Sequence, residues 1–173
     1  MPKTPARGRT KRIFWLPLVL LLLLVILVYN PVTVRVMTVG LAAWYGLDAR
    51  VFYRLIHTES RFRSFAVSRA AAIGLGQVKE STARYIHVKH RRGMLFLPLY
   101  NLRMSARYIR YLQDRFGDNW SLVLAAYNWG ENNVERRTGG LQIEAKADYR
   151  QLFADVPETY AYIGKILGPP KKP

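Results

Sequence analysis

The sequence predicts a mainly α-helical chain, α+β with little β, in which one helical domain stands behind a single apolar N-terminal helix. Three observations carry this prediction. Five segments space their apolar residues at three and four, as helices do. Only Val32 to Val36 alternates as a strand would, and residues 13–29 form an uncharged run that is apolar all round. The 173 residues allow one domain with an appendage. Half of the chain is hydrophobic and 13% is aromatic, which excludes a disordered polymer. The absence of cysteine excludes a disulfide scaffold, a thiolate metal site and a redox motif.

Residues 1–12 carry Lys3, Arg7, Arg9, Lys11 and Arg12 and no acid. The apolar run Ile13 to Tyr29 follows, with consecutive leucines from Leu20 to Leu24. At ~1.5 Å per residue it spans ~25 Å, close to the hydrocarbon thickness of a bilayer, and Trp15 and Tyr29 suit the two interfaces. A cleavable signal peptide has a shorter apolar region closing on a small-x-small triplet. The first such triplet here is Gly40-Leu41-Ala42, well beyond the run. The run therefore reads as an uncleaved transmembrane anchor. The basic tail holds the N-terminus in the cytoplasm, so the rest is exported.

Residues 30–47 read as a linker or lead-in, and residues 48–168 as the exported domain. Within it Asp48 caps a helix to about Thr58, with Phe52, Leu55 and Ile56 on one face. A second helix is expected from Gln77 to about His87. A third runs from Asn101 to Phe116, with Leu102, Ile109, Leu112 and Phe116 opposite Arg103, Arg107, Arg110 and Asp114. The fourth, Trp120 to Asn128, is capped by Asn119 or Asp118 and is apolar enough to be the central buried helix. Pro157 opens the last, and Gly168-Pro169-Pro170 closes it. Thr138 to Arg150 reads as loop, and residues 169–173 as a short Pro/Lys tail.

The formal net charge is +16, of which +5 lies in the tail, leaving +11 on the remainder. Its densest cluster is Lys89, His90, Arg91 and Arg92. A basic exported domain points to a polyanionic neighbour, either membrane lipid or cell-wall polymer. No nucleic-acid motif is present, and export argues against that class of partner.

One acid is misplaced for a structural helix. Glu59 follows Phe52, Leu55 and Ile56 at seven, four and three residues, so it shares their apolar face. It also sits in the last turn, where the macrodipole disfavours a negative charge. Both effects raise its pKa, as a general acid requires. The same position also fits a carboxylate reaching water from a fraying helix end, and spacing alone leaves the two open. Gly74-Leu75-Gly76-Gln77 lacks the Lys-Ser/Thr of a phosphate loop. His57, His87 and His90 have no metal-ligand spacing. Ser60 and Ser68 lack the partners of a Ser/His/Asp triad, and Glu158 is the acid expected at a helix N-terminus.

Taken in order, these features form a pattern. Glu59-Ser60-Arg61-Phe62, Ala66-Val67-Ser68, Ala72-Ile73-Gly74-Leu75-Gly76-Gln77 and Thr82-Ala83 resemble the first motif block of the soluble-lytic-transglycosylase-like lytic transglycosylases. Asn101-Leu102 resembles their Asn-Ile, and Ala125-Ala126-Tyr127-Asn128-Trp129-Gly130 their Ala-Ala-Tyr-Asn-Ala-Gly. Val156-Pro157-Glu158-Thr159-Tyr160-Ala161-Tyr162-Ile163 resembles their closing Pro-x-Glu-Thr-x-x-Tyr-Val. The likeness covers about residues 48–167.

The resemblance implies a lysozyme-like, mainly helical fold with a sugar-binding cleft. It implies cleavage of the MurNAc–GlcNAc β-1,4 bond of peptidoglycan without water, leaving a 1,6-anhydro-MurNAc end. By position, Glu59 becomes the catalytic acid and then base. Ser68, Gln77, Lys79, Ala126 and Tyr127 become substrate contacts, and Ser60, Asn128 and Glu158 supports of the cleft. No metal or cofactor is implied. The partners implied are peptidoglycan glycan strands, the bacterial inner membrane through the anchor with the domain on the periplasmic side, and envelope or secretion-machine proteins.

The chain departs from the pattern at several points. Ser64 stands for Pro, Arg69-Ala70-Ala71-Ala72 for Pro-Ala-Gly-Ala, and Gly76 for Met, which removes a packing side chain. Val78-Lys79-Glu80 stands for Val-Met-Pro. A lysine at 79 either binds a stem-peptide carboxylate or weakens an apolar subsite. Trp129, in place of Ala, adds a stacking surface or serves as packing. Two other functions stay open: a hydrolase of goose-type lysozyme kind, which needs a second carboxylate from among Asp48, Glu80, Glu131 and Glu144, and a glycan-binding scaffold that does not cut.

Overall fold

The computed structural model describes residues 10–169, with side chains from Trp15 onward. Residues 1–9 of the basic tail and 170–173 of the Pro/Lys tail lie outside the described residues. Those described form eight α-helices: α1 Thr10–Tyr29, α2 Pro31–Trp44, α3 Ala49–Ser60, α4 Glu80–Ile86, α5 Pro98–Arg115, α6 Trp120–Trp129, α7 Glu131–Thr138 and α8 Pro157–Leu167. Short 3-10 helices cover Arg92–Phe96 and Arg150–Phe153. The β content among the described residues is two isolated antiparallel bridges, Val67 with Ile73 and Ile73 with Val78.

α1 exposes its apolar side chains from Trp15 to Leu27 without a break. Among the described residues no single helix is long and apolar enough to cross a membrane. Trp15–Tyr29 and Pro31–Trp44 meet that requirement only as a pair, bent by 61°. The two halves of this pair differ in kind. Along α2, Val34, Thr38 and Ala42 are fully buried at intervals of four, and α2 packs on α3 and α5.

Val32 to Val36 is therefore helix and not strand. Asn30 caps it by accepting a hydrogen bond from Val32 N at 2.8 Å, and Pro31 occupies the first helical position. Burial of the 34/38/42 stripe overrides the β preference of three valines, as tertiary packing commonly does. The segment 30–47 is thus a helix of the core and not a linker.

The other expected helices are present with shifted ends. α5 starts three residues early, at Pro98, and α4 is shorter than expected because Gln77 (φ 48°) belongs to the preceding loop. α7 had no expectation attached to it. α6 is central: Leu122, Val123, Leu124, Ala125 and Ala126 have no exposed surface, and α5, α7 and α8 pack around it. Asn119, not Asp118, is its cap, accepting from Leu122 N at 3.1 Å. The Asn119 amide also donates to the carbonyls of Glu144 and Ala147, each at 2.7 Å, which pins the 139–149 loop to the helix start.

The loop from Arg61 to Lys79 has almost no regular structure, so its carbonyls and amides need other partners. Asn101, fully buried at the start of α5, supplies them. Its Oδ1 accepts from Gly76 N at 2.8 Å, and its Nδ2 donates to the carbonyls of Ile73 (2.8 Å) and Leu95 (2.9 Å). Gly74 adopts φ +76°, and a Cβ there would lie 2.3 Å from Asn101 Nδ2.

Gly76 is required for a different reason. A Cβ would lie 1.9 Å from Ser105 Oγ and 3.0 Å from the Tyr127 hydroxyl. The volume expected to be vacated by a missing side chain is therefore occupied by Ser105. Gly76→Ala is expected to destabilise the fold by about 1–3 kcal/mol through overpacking. A shift in denaturation midpoint at unchanged slope would check this.

Candidate active site

Glu59 lies in the last turn of α3, where α3, α6, α8 and the 73–77 loop converge. The turn ends abruptly. Arg61 (φ 53°) and Phe62 (φ 62°) are both left-handed, and Arg61 N closes the helix on the His57 carbonyl at 2.8 Å. This reversal ends the helix just after Glu59, whose side chain turns to Tyr162 of α8 instead of fraying into solvent. Its side chain is partly exposed. The Tyr162 hydroxyl, from the middle of α8, donates a hydrogen bond to Glu59 Oε1. Burial pushes the carboxyl pKa up to about 7, and the Tyr162 hydrogen bond works against that rise.

Tyr127 stands at the end of α6 and donates to the Gly76 carbonyl at 2.7 Å. Burial and the nearby Glu59 charge hold its hydroxyl, and that of Tyr162, well above the ordinary tyrosine range. Both remain neutral donors at any physiological pH. Glu59 thus has the Tyr162 hydroxyl as its hydrogen-bond partner, while Tyr127, on a separate helix, is near enough for its hydroxyl to be affected by the Glu59 charge.

The remaining expected site residues fall into two groups. Gln77, Lys79 and Tyr127 line one 160 Å³ cavity with Thr82, Tyr108 and Trp129. Gln77 Nε2 donates to the Gly74 carbonyl at 2.9 Å, which ties its amide to the loop. Lys79 is exposed at the lip, preceding α4. Trp129 is held between the Arg137 guanidinium (4.8 Å above its ring) and Phe153, so it is packed and also lines the cavity.

The second group holds the fold together or stands apart from Gln77 and Lys79, although Asn128 also lines that cavity. Ser60 is buried, with its hydroxyl on the Ile56 carbonyl at 3.3 Å. Ser68 Oγ accepts from Ala72 N at 3.1 Å and folds its own loop. Ala126 is buried in α6. Asn128 Oδ1 accepts from Thr159 Oγ1 at 2.8 Å, joining α6 to α8. Glu158 is exposed in the first turn of α8, and the side chain that makes the link from that turn is its neighbour Thr159.

Sequence reasoning missed Tyr162 and Ser105 as parts of this site. Tyr162 lay within the closing motif, whose tyrosine was quoted but given no task. Nothing local marks Ser105. From Tyr127 a row of rings leads away from Glu59: Tyr127 to Tyr108 (5.4 Å), Tyr108 to Tyr111 (6.1 Å) and Tyr111 to Tyr85 (5.3 Å). Glu131 is bound beneath it by the hydroxyls of Tyr108 (3.4 Å) and Tyr111 (3.1 Å) and by Arg115 (3.4 Å).

Of the four acids weighed as a second carboxylate, three are engaged elsewhere. Asp48 caps the opposite end of α3, accepting from Val51 N, and eleven residues of helical rise place it ~16 Å from Glu59 along the axis. Glu80 is salt-bridged to Arg84 at 2.7 Å, and Glu131 to Arg115. Glu144 is exposed in the loop after α7. Among the described residues no group of three or more His, Asp or Glu is arranged to hold a metal.

Comparison with known proteins gives a consistent result. The family described as "Transglycosylase SLT domain" matches residues 40–149. The membrane-bound lytic murein transglycosylase C of Shigella sonnei is 30% identical over 115 residues, covering 58% of this chain and 32% of that protein. Its counterpart from Edwardsiella ictaluri is 32% identical over 106 residues, covering 53% and 30%. The chain therefore spans about a third of the length of these curated relatives.

Among solved structures, an inactive mutant of the lytic transglycosylase Slt from Pseudomonas aeruginosa superposes with a TM-score of 0.67. It is 26% identical and covers 78% of this chain and 22% of that one. The 70 kDa soluble lytic transglycosylase of Escherichia coli shares the fold, with a TM-score of 0.61 and 24% identity over 70% of this chain and 21% of that one. With the family's description matched over most of the helical domain and the same fold in both enzymes, the chain belongs to the transglycosylase SLT domain family.

Proposed function

We propose that this chain is a peptidoglycan lytic transglycosylase, held at the bacterial inner membrane by α1 with its domain on the periplasmic side, and that Glu59 is its single acid and base. The observation that carries the reading is a carboxyl group poised near neutrality by burial and held by the Tyr162 hydroxyl, with Asp48, Glu80 and Glu131 each engaged elsewhere.

Protonated Glu59 gives its proton to the glycosidic oxygen as the bond from MurNAc C1 breaks and the GlcNAc O4 leaves. The positive charge at C1 is stabilised by the substrate's own acetamido group. The Glu59 carboxylate, now a base in a desolvated site, takes the proton of the MurNAc C6 hydroxyl while O6 bonds to C1. Glu59 ends protonated, no water enters, and the product is the 1,6-anhydro end. A pKa near the working pH suits both proton transfers. Gln77 and Lys79 at the cavity and the tyrosine row from Tyr127 are placed to bind the strand, with Lys79 a cation for a stem-peptide carboxylate.

Digestion of purified sacculi with the detergent-solubilised full chain, followed by mass spectrometry, tests this. Fragments one water lighter than reducing muropeptides support the proposal. Reducing ends identify a hydrolase, and absence of cleavage points to a glycan-binding scaffold.

The acid must be protonated in the free enzyme. On this mechanism kcat/KM is therefore expected to fall about tenfold per pH unit above about 7. Tyr162→Phe removes the hydrogen bond that lowers the Glu59 pKa, so this limb is expected to move to higher pH by up to about one unit. A limb that stays fixed in Tyr162→Phe assigns the titration to another group.

A further inference from the structure

The last residue of α1, Tyr29, stacks face to face on Phe65, with ring centroids 4.9 Å apart and planes 7° from parallel. Phe65 stacks in turn on Phe96, 6.2 Å away. These rings join the end of the apolar helix to two loops distant in sequence. Around them Phe65 (66%), Val67 (55%), Leu97 (48%) and Leu99 (49%) present large apolar surface to solvent. A domain that met only water would have no use for this surface.

The same loops are strongly cationic. From Ser60 to Gln113 the chain has eleven Lys and Arg residues and a single acid, Glu80. Arg61 and Arg63 flank Phe65, and Arg91 and Arg92 precede Phe96, all exposed. Exposed aromatic and aliphatic side chains among arginines are the composition of a surface that rests at a lipid headgroup layer. The stacking fixes the depth. If Tyr29 ends the membrane-embedded run, a ring 4.9 Å from it lies in the same interfacial layer.

We infer that Phe65, Val67, Phe96 and Leu97 form a foot that rests on the outer leaflet of the bilayer crossed by α1, with Arg61, Arg63, Arg91 and Arg92 against lipid phosphates. This rests on the proposed reading of α1 as the anchor. It goes beyond that reading by orienting the domain. Phe65 follows Glu59 by six residues, at most ~22 Å of extended chain, shortened here by the two left-handed residues between them. The cleft is thereby confined to glycan lying next to the membrane, and strands in the outer layers of the wall are out of its reach.

The chain lacks cysteine, so single labels are clean. Nitroxides at Leu22→Cys, Val67→Cys, Leu97→Cys and Leu141→Cys would be placed in the full chain, reconstituted in phosphatidylethanolamine/phosphatidylglycerol vesicles. Their accessibility to oxygen and to a water-soluble nickel chelate would then be compared. The foot requires position 22 to report bilayer core and position 141 water. Positions 67 and 97 must show an oxygen-to-nickel ratio several-fold above that at 141, falling toward the 141 value in Phe65→Ser.

Labels at 67 and 97 that match 141 while 22 reports bilayer overturn the foot and leave the anchor standing. Labels shielded from both reagents mean that a protein covers this face, which also overturns it. Position 22 reporting water removes the anchor reading and the foot with it.

Discussion

Glu59→Gln is expected to reduce strand cleavage by about 10²–10⁴-fold, the usual contribution of a positioned acid–base group, and in the same variant to stabilise the folded domain at alkaline pH. The amide is nearly isosteric, and its oxygen can still accept the Tyr162 hydroxyl, so the fold has no reason to change. The stability effect follows from the raised pKa. In the unfolded chain the acid titrates near 4.5, and in the folded domain near 7. Below about pH 4.5 both states are protonated and the site costs nothing. As pH rises from 4.5 through 7 the unfolded chain ionises first, so the folded state loses stability, and the loss is complete above 7.

That loss is at most about 3 kcal/mol, and less in proportion to the solvent reaching a partly exposed side chain. Glutamine never ionises. Denaturation of wild type and variant should therefore coincide near pH 4 and separate by about 1–3 kcal/mol near pH 8, the variant being more stable. A variant that cleaves at wild-type rate removes Glu59 from the mechanism. Curves that stay parallel across this range show that the carboxyl is not desolvated. On the proposed role of Glu59, an acid held at odds with the stability of its own domain gives the same substitution opposite effects on activity and on folding.

A comparable effect is expected from the choice of where the soluble domain begins. A chain starting at Val36, within the segment that reads as a lead-in, cuts α2 in its first turns. It loses the Asn30 cap, worth about 1 kcal/mol, and fully buried Val34, worth about 1.5–3 kcal/mol. It also opens the groove between α3 and α5 beneath them. The sum, about 2.5–4 kcal/mol, is a large part of the 5–15 kcal/mol typical of a domain. A fragment starting at Asn30 keeps all of these contacts. Urea midpoints of the two fragments, compared at equal slope, should differ in that order. Equal midpoints would show that α2 belongs to the anchor and not to the core.

The same helix shows where the sequence was readable and where it was not. Glu59 stood out because seven, four and three residues before it lay an apolar stripe, a local signal. Asp48, Asn119 and Pro157 marked helix starts for the same reason. α2 was hidden because V-T-V-R-V alternates locally, while the evidence for helix is a face that packs on α3 and α5. Tyr162 was hidden because it acts on a residue 103 positions earlier. Ser105 filling the place at Gly76 is likewise a contact between segments, and without it the glycine read as a loss. The departures at Gly76 and Trp129 are each matched by a neighbour, Ser105 and Arg137, that no local pattern announces.

On the proposed function, the joint at Asn30 also decides how the enzyme finds its work. Eighteen flexible residues between anchor and domain would act as a leash of roughly 23 Å root-mean-square length, and the catalytic head would patrol the space above its anchor. Here fourteen of those residues, Pro31–Trp44, form a capped helix packed into the core, bent from α1 by 61°. The head cannot patrol. On the proposed anchoring by α1, it travels only as fast as that anchor diffuses in the plane of the bilayer, and a strand must be delivered to it at one height and from one side. The encounter is then a two-dimensional problem, set by lateral traffic in the membrane and by whatever machinery lays strands beside it.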